Sequence, residues 1–221
     1  EDWVESRCKT RKDPWACVGY GWTLSQRPKS PGIPYRLADG WDDAIKVFTQ
    51  VCEKEPRGCV ELARLELSSR QDVVRSQGAA RLEEACDAGD LEGCYSFGVL
   101  LAEGVEVESD AVRATELLES GCASNHGKSC TQVALIQLAT ASNVEEAKKA
   151  TESYKKGCEL GSTDACRGLA QHYEEGLGVD VDYTLAGKYY QQACESHHAE
   201  ACDKLGILYS EGKGVEADLK K

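Results

Sequence analysis

No run of 18 uninterrupted apolar residues occurs in the 221-residue chain, so no segment is built to cross a bilayer as a helix. Positive charge is in short supply: 26 Lys and Arg stand against 38 Asp and Glu, a formal net charge of −12. Nucleic acids and anionic membranes are bound through basic surfaces that displace counterions, so this deficit argues against both as partners. Common catalytic signatures are missing too. There is no G-x-S-x-G, no H-E-x-x-H, no phosphate-cradling glycine loop and no C-x-x-C. Methionine is absent altogether, and no charged-then-apolar leader opens the chain at Glu1. A mature or trimmed chain is therefore expected, with any export signal outside it. What the chain does have is enough hydrophobic residues for a packed core, 41%, and an unusual number of cysteines, 12.

The cysteines carry the main signal. They fall in pairs: Cys8/Cys17, Cys52/Cys59, Cys86/Cys94, Cys122/Cys130, Cys158/Cys166 and Cys194/Cys202. The last four pairs are each C-x7-C, and their first members advance by 36 residues every time. Other residues keep this register. Eight positions before the first cysteine stand Ala44, Gly78, Ala114, Ala150 and Ala186; four before it stand Phe48, Leu82, Leu118, Tyr154 and Tyr190. Small and large residues four apart share a helical face. Three and four positions after the second cysteine, Tyr20/Gly21, Leu62/Ala63, Phe97/Gly98, Val133/Ala134, Leu169/Ala170 and Leu205/Gly206 repeat that logic on a second helix. Gly104, Gly176 and Gly212, ten residues past their cysteines, mark helix ends. Each unit thus reads as a first helix opening at a cysteine, a turn, and a second helix closing at the next cysteine. Units of this size stack into an α-solenoid.

The stretch Cys166-Arg-Gly-Leu-Ala-Gln-His-Tyr-Glu-Glu-Gly-Leu-Gly-Val, with Ala186 and Tyr189-Tyr190-Gln-Gln-Ala193, resembles a Sel1-like repeat. So does Cys202-Asp-Lys-Leu-Gly-Ile-Leu-Tyr-Ser-Glu-Gly-Lys-Gly-Val. The strict C-x7-C spacing is similar to the disulfide-bearing subgroup, best known from the Helicobacter cysteine-rich proteins. The resemblance implies an all-α, right-handed α/α solenoid of TPR-like helix pairs, one disulfide per repeat, spanning residues 41–221. Residues 1–40 depart from it, with C-x8-C at Cys8/Cys17 and a connector, Gln26–Tyr35, that holds Pro28, Pro31 and Pro34. They read as a divergent capping unit. All four tryptophans, Trp3, Trp15, Trp22 and Trp41, lie in the first 41 residues, as a cap or a ligand platform. At the other end, the turn beginning at Gly212 leads into a second helix that never arrives, so truncation or an incomplete last unit is expected.

Two antiparallel helices joined by about seven residues bring each pair of cysteines within disulfide reach, a Cα separation of about 4.4–6.8 Å. Closing so short a loop stabilises by about 2–3 kcal/mol on the chain-entropy model. The competing reading is metal, with His126, His197 and His198 in the inter-cysteine loops as possible ligands, although zinc sites favour shorter spacings. The disulfide reading implies an oxidising compartment, periplasmic or extracellular, with the mitochondrial intermembrane space as the alternative.

Functional expectation falls on the solenoid surface. Counting from the second cysteine, positions 3, 4 and 7 should pack inward and positions 2, 5 and 9 should line a concave groove. Position 5 holds Trp22, Arg64, Val99, Leu135, Gln171 and Ile207, four of the six apolar. Such a stripe is what a peptide- or protein-binding groove would show. The alternative is that the stripe packs against adjacent first helices because the solenoid curves tightly. The paired carboxylates Glu83-Glu84 and Glu174-Glu175 read as solvated faces, and His172 as a satisfied, partly buried histidine. The G-x-G pairs Gly176/Gly178 and Gly212/Gly214 follow helices, which excludes a dinucleotide loop. The resemblance implies a non-catalytic adaptor without cofactor. Its alternatives, by analogy with related cysteine-rich proteins, are a weak penicillin-binding or β-lactamase-like hydrolase and a haem or metal carrier.

Overall fold

The structure, a computed structural model, describes residues 5–11, 13–25, 39–69 and 71–214. The proline-containing connector, Trp3 and the chain from Val215 onward lie outside the described residues, as do the side chains of Trp15 and Trp41. Every regular element among the described residues is helical. A π-helical turn, Arg7–Arg11, precedes α1 (Pro14–Ser25), α2 (Asp39–Cys52), α3 (Pro56–Leu67), α4 (Asp72–Asp87), α5 (Leu91–Glu103) and α6 (Ala111–Ala123). Then follow α7 (Gly127–Thr140), α8 (Val144–Glu159), α9 (Thr163–Glu175), α10 (Tyr183–Glu195) and α11 (Ala199–Glu211).

The chain divides into two compact units, Glu1–Ala114 and Thr115–Lys221. In the first, consecutive helices from α1 to α5 pack on one another; in the second, consecutive helices from α7 to α11 do so, and α7 also touches α9. Residues on both sides of position 40 share one core, in which Cys8, Cys17, Tyr20 and Leu24 meet Ala44, Phe48, Val51, Leu62 and Leu65. The core of the second unit gathers Tyr154, Leu169, Ala186, Tyr190 and Leu208.

All six cysteine pairs are disulfides, each joining the two members of its own pair. Cys8 bonds Cys17, Cys52 bonds Cys59 and Cys86 bonds Cys94. Cys122 bonds Cys130, Cys158 bonds Cys166 and Cys194 bonds Cys202. Cα separations run from 4.3 to 4.7 Å, and Cys52–Cys59 and Cys86–Cys94, both at 4.3 Å, fall just below the expected range.

Their place in the helices corrects the sequence expectation that the first helix opens at a cysteine. Cys17, Cys59, Cys94, Cys130, Cys166 and Cys202 are each the fourth residue of their helix. The helix starts one turn earlier because the capping residue lies four positions before the cysteine. Glu55 stands there before Cys59, His126 before Cys130, Ser162 before Cys166 and His198 before Cys202. Before Cys94 it is Asp90, whose carboxylate accepts from Gly93 N. Helix α2 ends on Cys52, and α4, α6, α8 and α10 run one residue past the first cysteine. The connection is therefore three residues rather than seven, and the sulfur bridge joins two helix ends already in contact.

In the four C-x7-C pairs that short connection demands one left-handed residue, third after the first cysteine: Gly89 (φ 87°), Asn125 (φ 64°), Gly161 (φ 84°) and His197 (φ 65°). Glycine adopts this conformation freely and asparagine tolerates it, whereas a histidine is strained there. His197→Gly is expected to stabilise the protein by about 0.5–1 kcal/mol, the relief of a left-handed residue less the added freedom of the unfolded chain. Urea denaturation measures it, and a destabilisation would show that the His197 side chain makes an unseen contribution.

The two small-and-large rows form the core. Ala44, Ala114, Ala150 and Ala186 are fully buried, as are Phe48, Leu82, Leu118, Tyr154 and Tyr190. Position 7 departs from its expected role: Leu24, Glu66 and Leu101 are buried there, but Gln137, Tyr173 and Tyr209 are only half-buried. Position 6 supplies core residues instead, namely Leu65, His172 and Leu208. Gly206 is exposed at the position where Ala134 and Ala170 are buried.

Candidate interaction face

The first helices of the repeat, α1, α3 and α5 in one unit and α7, α9 and α11 in the other, carry position 5. The two units treat it differently. In the first, intramolecular contacts occupy much of the row. The Trp22 ring packs edge-on against Phe48, centroids 5.7 Å apart, and its indole N–H donates to Glu61 Oε2 at 3.1 Å. The Arg64 guanidinium donates to Glu61 at 3.1 Å and to Glu92. Val99 is half-buried. In the second unit, Leu135 is 42% exposed and Ile207 47% exposed, with Gln171 of α9 half-buried.

At position 2, Gly19, Ser96, Gln132 and Lys204 are half-buried, while Glu61 and Gly168 are covered. Glu61 is buried, and a Cβ at Gly168 would lie 2.7 Å from the Tyr154 ring, so α8 occupies that side of α9. Position 9 does face solvent at Ser68, Glu103, Ala139, Glu175 and Glu211, while Gln26 lies outside the described residues.

Around position 5 the two units also differ in electrostatics. The first unit buries three carboxylates, Glu61, Glu66 and Glu92, each beside arginine. Arg57 approaches Glu61 at 3.6 Å and Glu92 at 3.9 Å, adding to the Arg64 contacts. Arg81 Nε donates to both Glu66 oxygens at 3.0 and 2.9 Å. Burial raises the Glu66 pKa, and the Arg81 charge pulls it back. These pairs neutralise charge that would otherwise be costly to bury. The sequence signal was weak: Arg57, Glu61 and Arg64 are spaced to meet on one helix, but only the neighbouring α5 brings Glu92 to them.

In the second unit the polar side chains run along the helices. Arg167 donates to Gln171 at 3.2 Å and Gln171 to Glu175 at 2.9 Å, a line of i, i+4 contacts on α9. Glu174 accepts from the buried Tyr190 hydroxyl at 2.6 Å and lies 3.8 Å from Lys204. Burial first, and the Glu174 hydrogen bond second, push the Tyr190 phenol far above its ordinary pKa, so it stays protonated. Glu174 and Glu175 are thus a tethered carboxylate and an exposed one, with no shared chemistry. Glu83 pairs with Arg113 at 2.7 Å.

The described residues assemble no metal centre. Every cysteine is in a disulfide, so no thiolate remains to bind metal. Among the described residues no group of three His, Cys, Asp or Glu could hold an ion. His126 and His198 are helix caps: His126 Nδ1 meets Ser129 Oγ at 2.8 Å, and His198 Nδ1 accepts from Ala201 N at 3.3 Å. Only His197 of the three loop histidines is exposed. The serine-to-lysine spacing of a Ser-Lys nucleophile, easily passed over in the sequence, occurs at Ser6/Lys9, Ser153/Lys156 and Ser210/Lys213. Ser153 donates instead to Gln137 at 2.8 Å and Ser210 to the Ile207 carbonyl at 2.8 Å, while Lys9 is paired with Glu5 at 2.5 Å and Lys213 with Glu211 at 2.7 Å. An open cleft of about 410 Å³ in the first unit is lined by Phe97, Leu101 and Ser109 with Glu83, Asp110 and Arg113. Its one cation is engaged by Glu83 and lies over the Phe97 ring. No helix among the described residues is long and apolar enough to cross a membrane.

The Sel1 repeat family matches residues 91–126, 163–198 and 199–221. The chain carries Sel1 repeats. Segment 127–162 keeps the same cysteine register between the matched stretches. A Sel1 repeat protein from Oxalobacter formigenes superimposes with a TM-score of 0.76 at 17% identity, covering 96% of this chain and 85% of that one. The immunity protein Pa5087 from Pseudomonas aeruginosa gives 0.62 at 16% identity, covering 85% and 67%. Helicobacter pylori cysteine rich protein B is 22% identical over 75% of this chain and 94% of that one, with a TM-score of 0.29, too low to bear on the fold. No curated protein matches the sequence. Sel1 repeats generally mediate protein interactions. Six disulfides point to folding in an oxidising compartment.

Proposed function

We propose that this Sel1-repeat protein is a non-catalytic scaffold of the periplasm or the extracellular space, binding a protein or peptide through its first-helix face. The observation that carries the reading is the exposure of Leu135 and Ile207 in the second unit. Large aliphatic side chains stand there at nearly half exposure while the same register in the first unit is engaged by ion pairs and ring packing. Trp22, Arg64 and Val99 then belong chiefly to internal packing, and Leu135, Gln171 and Ile207 to the partner surface. Residues 1–40 seal the end of the core, and 41–221 form the repeat array.

Charge narrows the partner. Glu175, Asp203 and Glu211 are exposed on the helices that carry Gln171 and Ile207, and the chain has a net charge of −12. A segment combining apolar and basic side chains complements this face. Because both aliphatic residues are exposed, Leu135→Glu with Ile207→Glu should leave the thermal transition within a few degrees of the parent. The double variant is expected to lose at least tenfold in affinity for proteins that the parent captures from an envelope or secreted fraction. Equal capture by both proteins would move the interaction site elsewhere.

A further inference from the structure

We propose that His172 is an acid-released latch, holding the turn at residues 176–182 and helix α8 against α9 in the second unit. Position 6, where His172 sits, holds leucine at Leu65 and Leu208, both buried to the same degree. The imidazole is 2% exposed, and the Tyr154 ring of α8 meets it edge-on with centroids 5.1 Å apart. A leucine would fill this space without desolvating two ring nitrogens, so packing alone does not account for the histidine.

The hydrogen bonds specify its protonation state. The Thr151 hydroxyl of α8 lies 2.7 Å from His172 Nδ1 and 2.9 Å from the Leu177 carbonyl oxygen. The same hydroxyl lies 3.2 Å from the Ala147 carbonyl oxygen. Both carbonyls can only accept and between them they take the one hydroxyl proton, which leaves Thr151 Oγ1 as the acceptor for Nδ1–H. Nε2 is then an unprotonated acceptor, and it has no hydrogen-bond partner among the described residues. A proton added there becomes a buried cationic N–H without an acceptor. The chain from α9 through Thr151 to Leu177 is also what fixes the turn. Leu177 stands between Gly176 and Gly178, and Gly178 is seated directly on the α8 backbone at Ala147 and Lys148.

The charges around the ring do little to favour the cation. On α8 the group facing it is Tyr154, whose phenol burial holds in the neutral form, while Lys148, Lys149, Glu152 and Lys155 are exposed. On α7 the one charged residue is Lys128, exposed at the far end of the helix, and on α10 Lys188 and Glu195 are exposed. On α9 itself Glu175 is exposed and favours the imidazolium weakly. Burial dominates and depresses the His172 pKa below its ordinary 6.5, against smaller opposing effects from the nearby Leu177 carbonyl and Glu175. The opened segment titrates near 6.5 and the closed one lower. The closed state is therefore fully favoured above pH 6.5 and is lost progressively as pH falls below it.

Hydrogen exchange of the whole protein, corrected for intrinsic rates, tests this between pH 7.5 and 5. Protection of residues 144–182 should be constant down to about 6.5 and then fall by up to about tenfold per pH unit. In His172→Leu, which places there the leucine found at Leu65, Leu100 and Leu208, the fall below pH 6.5 should vanish. His172→Gln, which cannot titrate, serves the same comparison if the leucine variant does not fold. Histidine ring ¹⁵N spectra of the unmodified protein should show the Nδ1–H form and a titration below 6.5. A titration at or above 6.5 overturns the proposal. So does a loss of protection identical in parent and variant, which would assign the effect to His126, His197, His198 or the carboxylates.

Discussion

Replacing Cys158 and Cys166 together by alanine is expected to lower the unfolding free energy by about 3–4 kcal/mol. Opening a loop of this length forfeits about 2–3 kcal/mol of unfolded-state constraint. Both cysteines are also 2% exposed and sit in the core with Tyr154, Ala165 and Leu169, so removing two sulfur atoms leaves unfilled space costing roughly 1 kcal/mol more. The bridge between Cys194 and Cys202, both half-buried, lacks much of that second contribution, and its double alanine variant should lose only about 2–3 kcal/mol. Urea unfolding of the three proteins, with native disulfides verified by mass, measures the difference. In an array where each helix pair contacts only its neighbours, the damage should be local first. Hydrogen exchange in the Cys158 variant should accelerate in α8 and α9 before α4 and α5. Equal stability of parent and variant would mean that the helix ends are held by packing alone.

Gly178→Ala should be nearly as damaging, at about 2–4 kcal/mol, although glycine to alanine adds a single methyl group. Two penalties coincide. Gly178 has φ of +72°, a region that costs an L-residue about 1–2 kcal/mol. A Cβ there would also lie 2.4 Å from Lys148 N and 2.5 Å from the Ala147 carbonyl carbon, backbone atoms that cannot rotate away. Gly161→Ala is the matched control: φ is +84°, but nothing lies within 4 Å of its Cβ, so only the conformational penalty of about 1–2 kcal/mol applies. Thermal or urea melts of the pair separate strain from collision. Similar losses in both would show that the 176–182 turn can withdraw from α8 without penalty.

The equivalent position in the repeat two units earlier supports this reading. Glu106 occupies the left-handed conformation there at φ 60°, as a non-glycine residue, and its carboxylate pairs with Arg75 Nε at 2.5 Å. An ion pair to the neighbouring second helix stands where Gly178 makes direct backbone contact. The repeat tolerates either solution because the turn needs an anchor on that helix, by proximity or by charge.

How much of this was legible without coordinates follows from the range of each interaction. A register of 36 residues states the same helix pair several times over, and each small-and-large row names a face that must be buried. Ala150 with Tyr154, or Ala186 with Tyr190, could be placed in the core on spacing alone, because intra-helical geometry decides which residues share a side. The disulfides followed from the same local geometry. Details of one residue did not. Cys59, Cys94 and Cys130, like Cys166 and Cys202, lie one turn inside their helices rather than at the start. The cap four residues before each is a choice made by backbone hydrogen bonds that spacing does not reveal.

The interaction face was the harder case. Val99 and Leu135 share position 5 and are chemically alike, yet one is half-buried and the other exposed. Gly168 reads as a groove residue in the sequence, and the Tyr154 ring lies against it. The Arg57–Glu61–Arg64–Glu92 group needs two helices brought together, and the orphaned Nε2 of His172 needs three segments at once. Composition, repeat period and helical spacing by themselves determined an all-helical array stapled in pairs. Which face stays open, and which polar groups are sealed inside, only the tertiary structure decided, since exposure depends on side chains arriving from helices that no local periodicity positions.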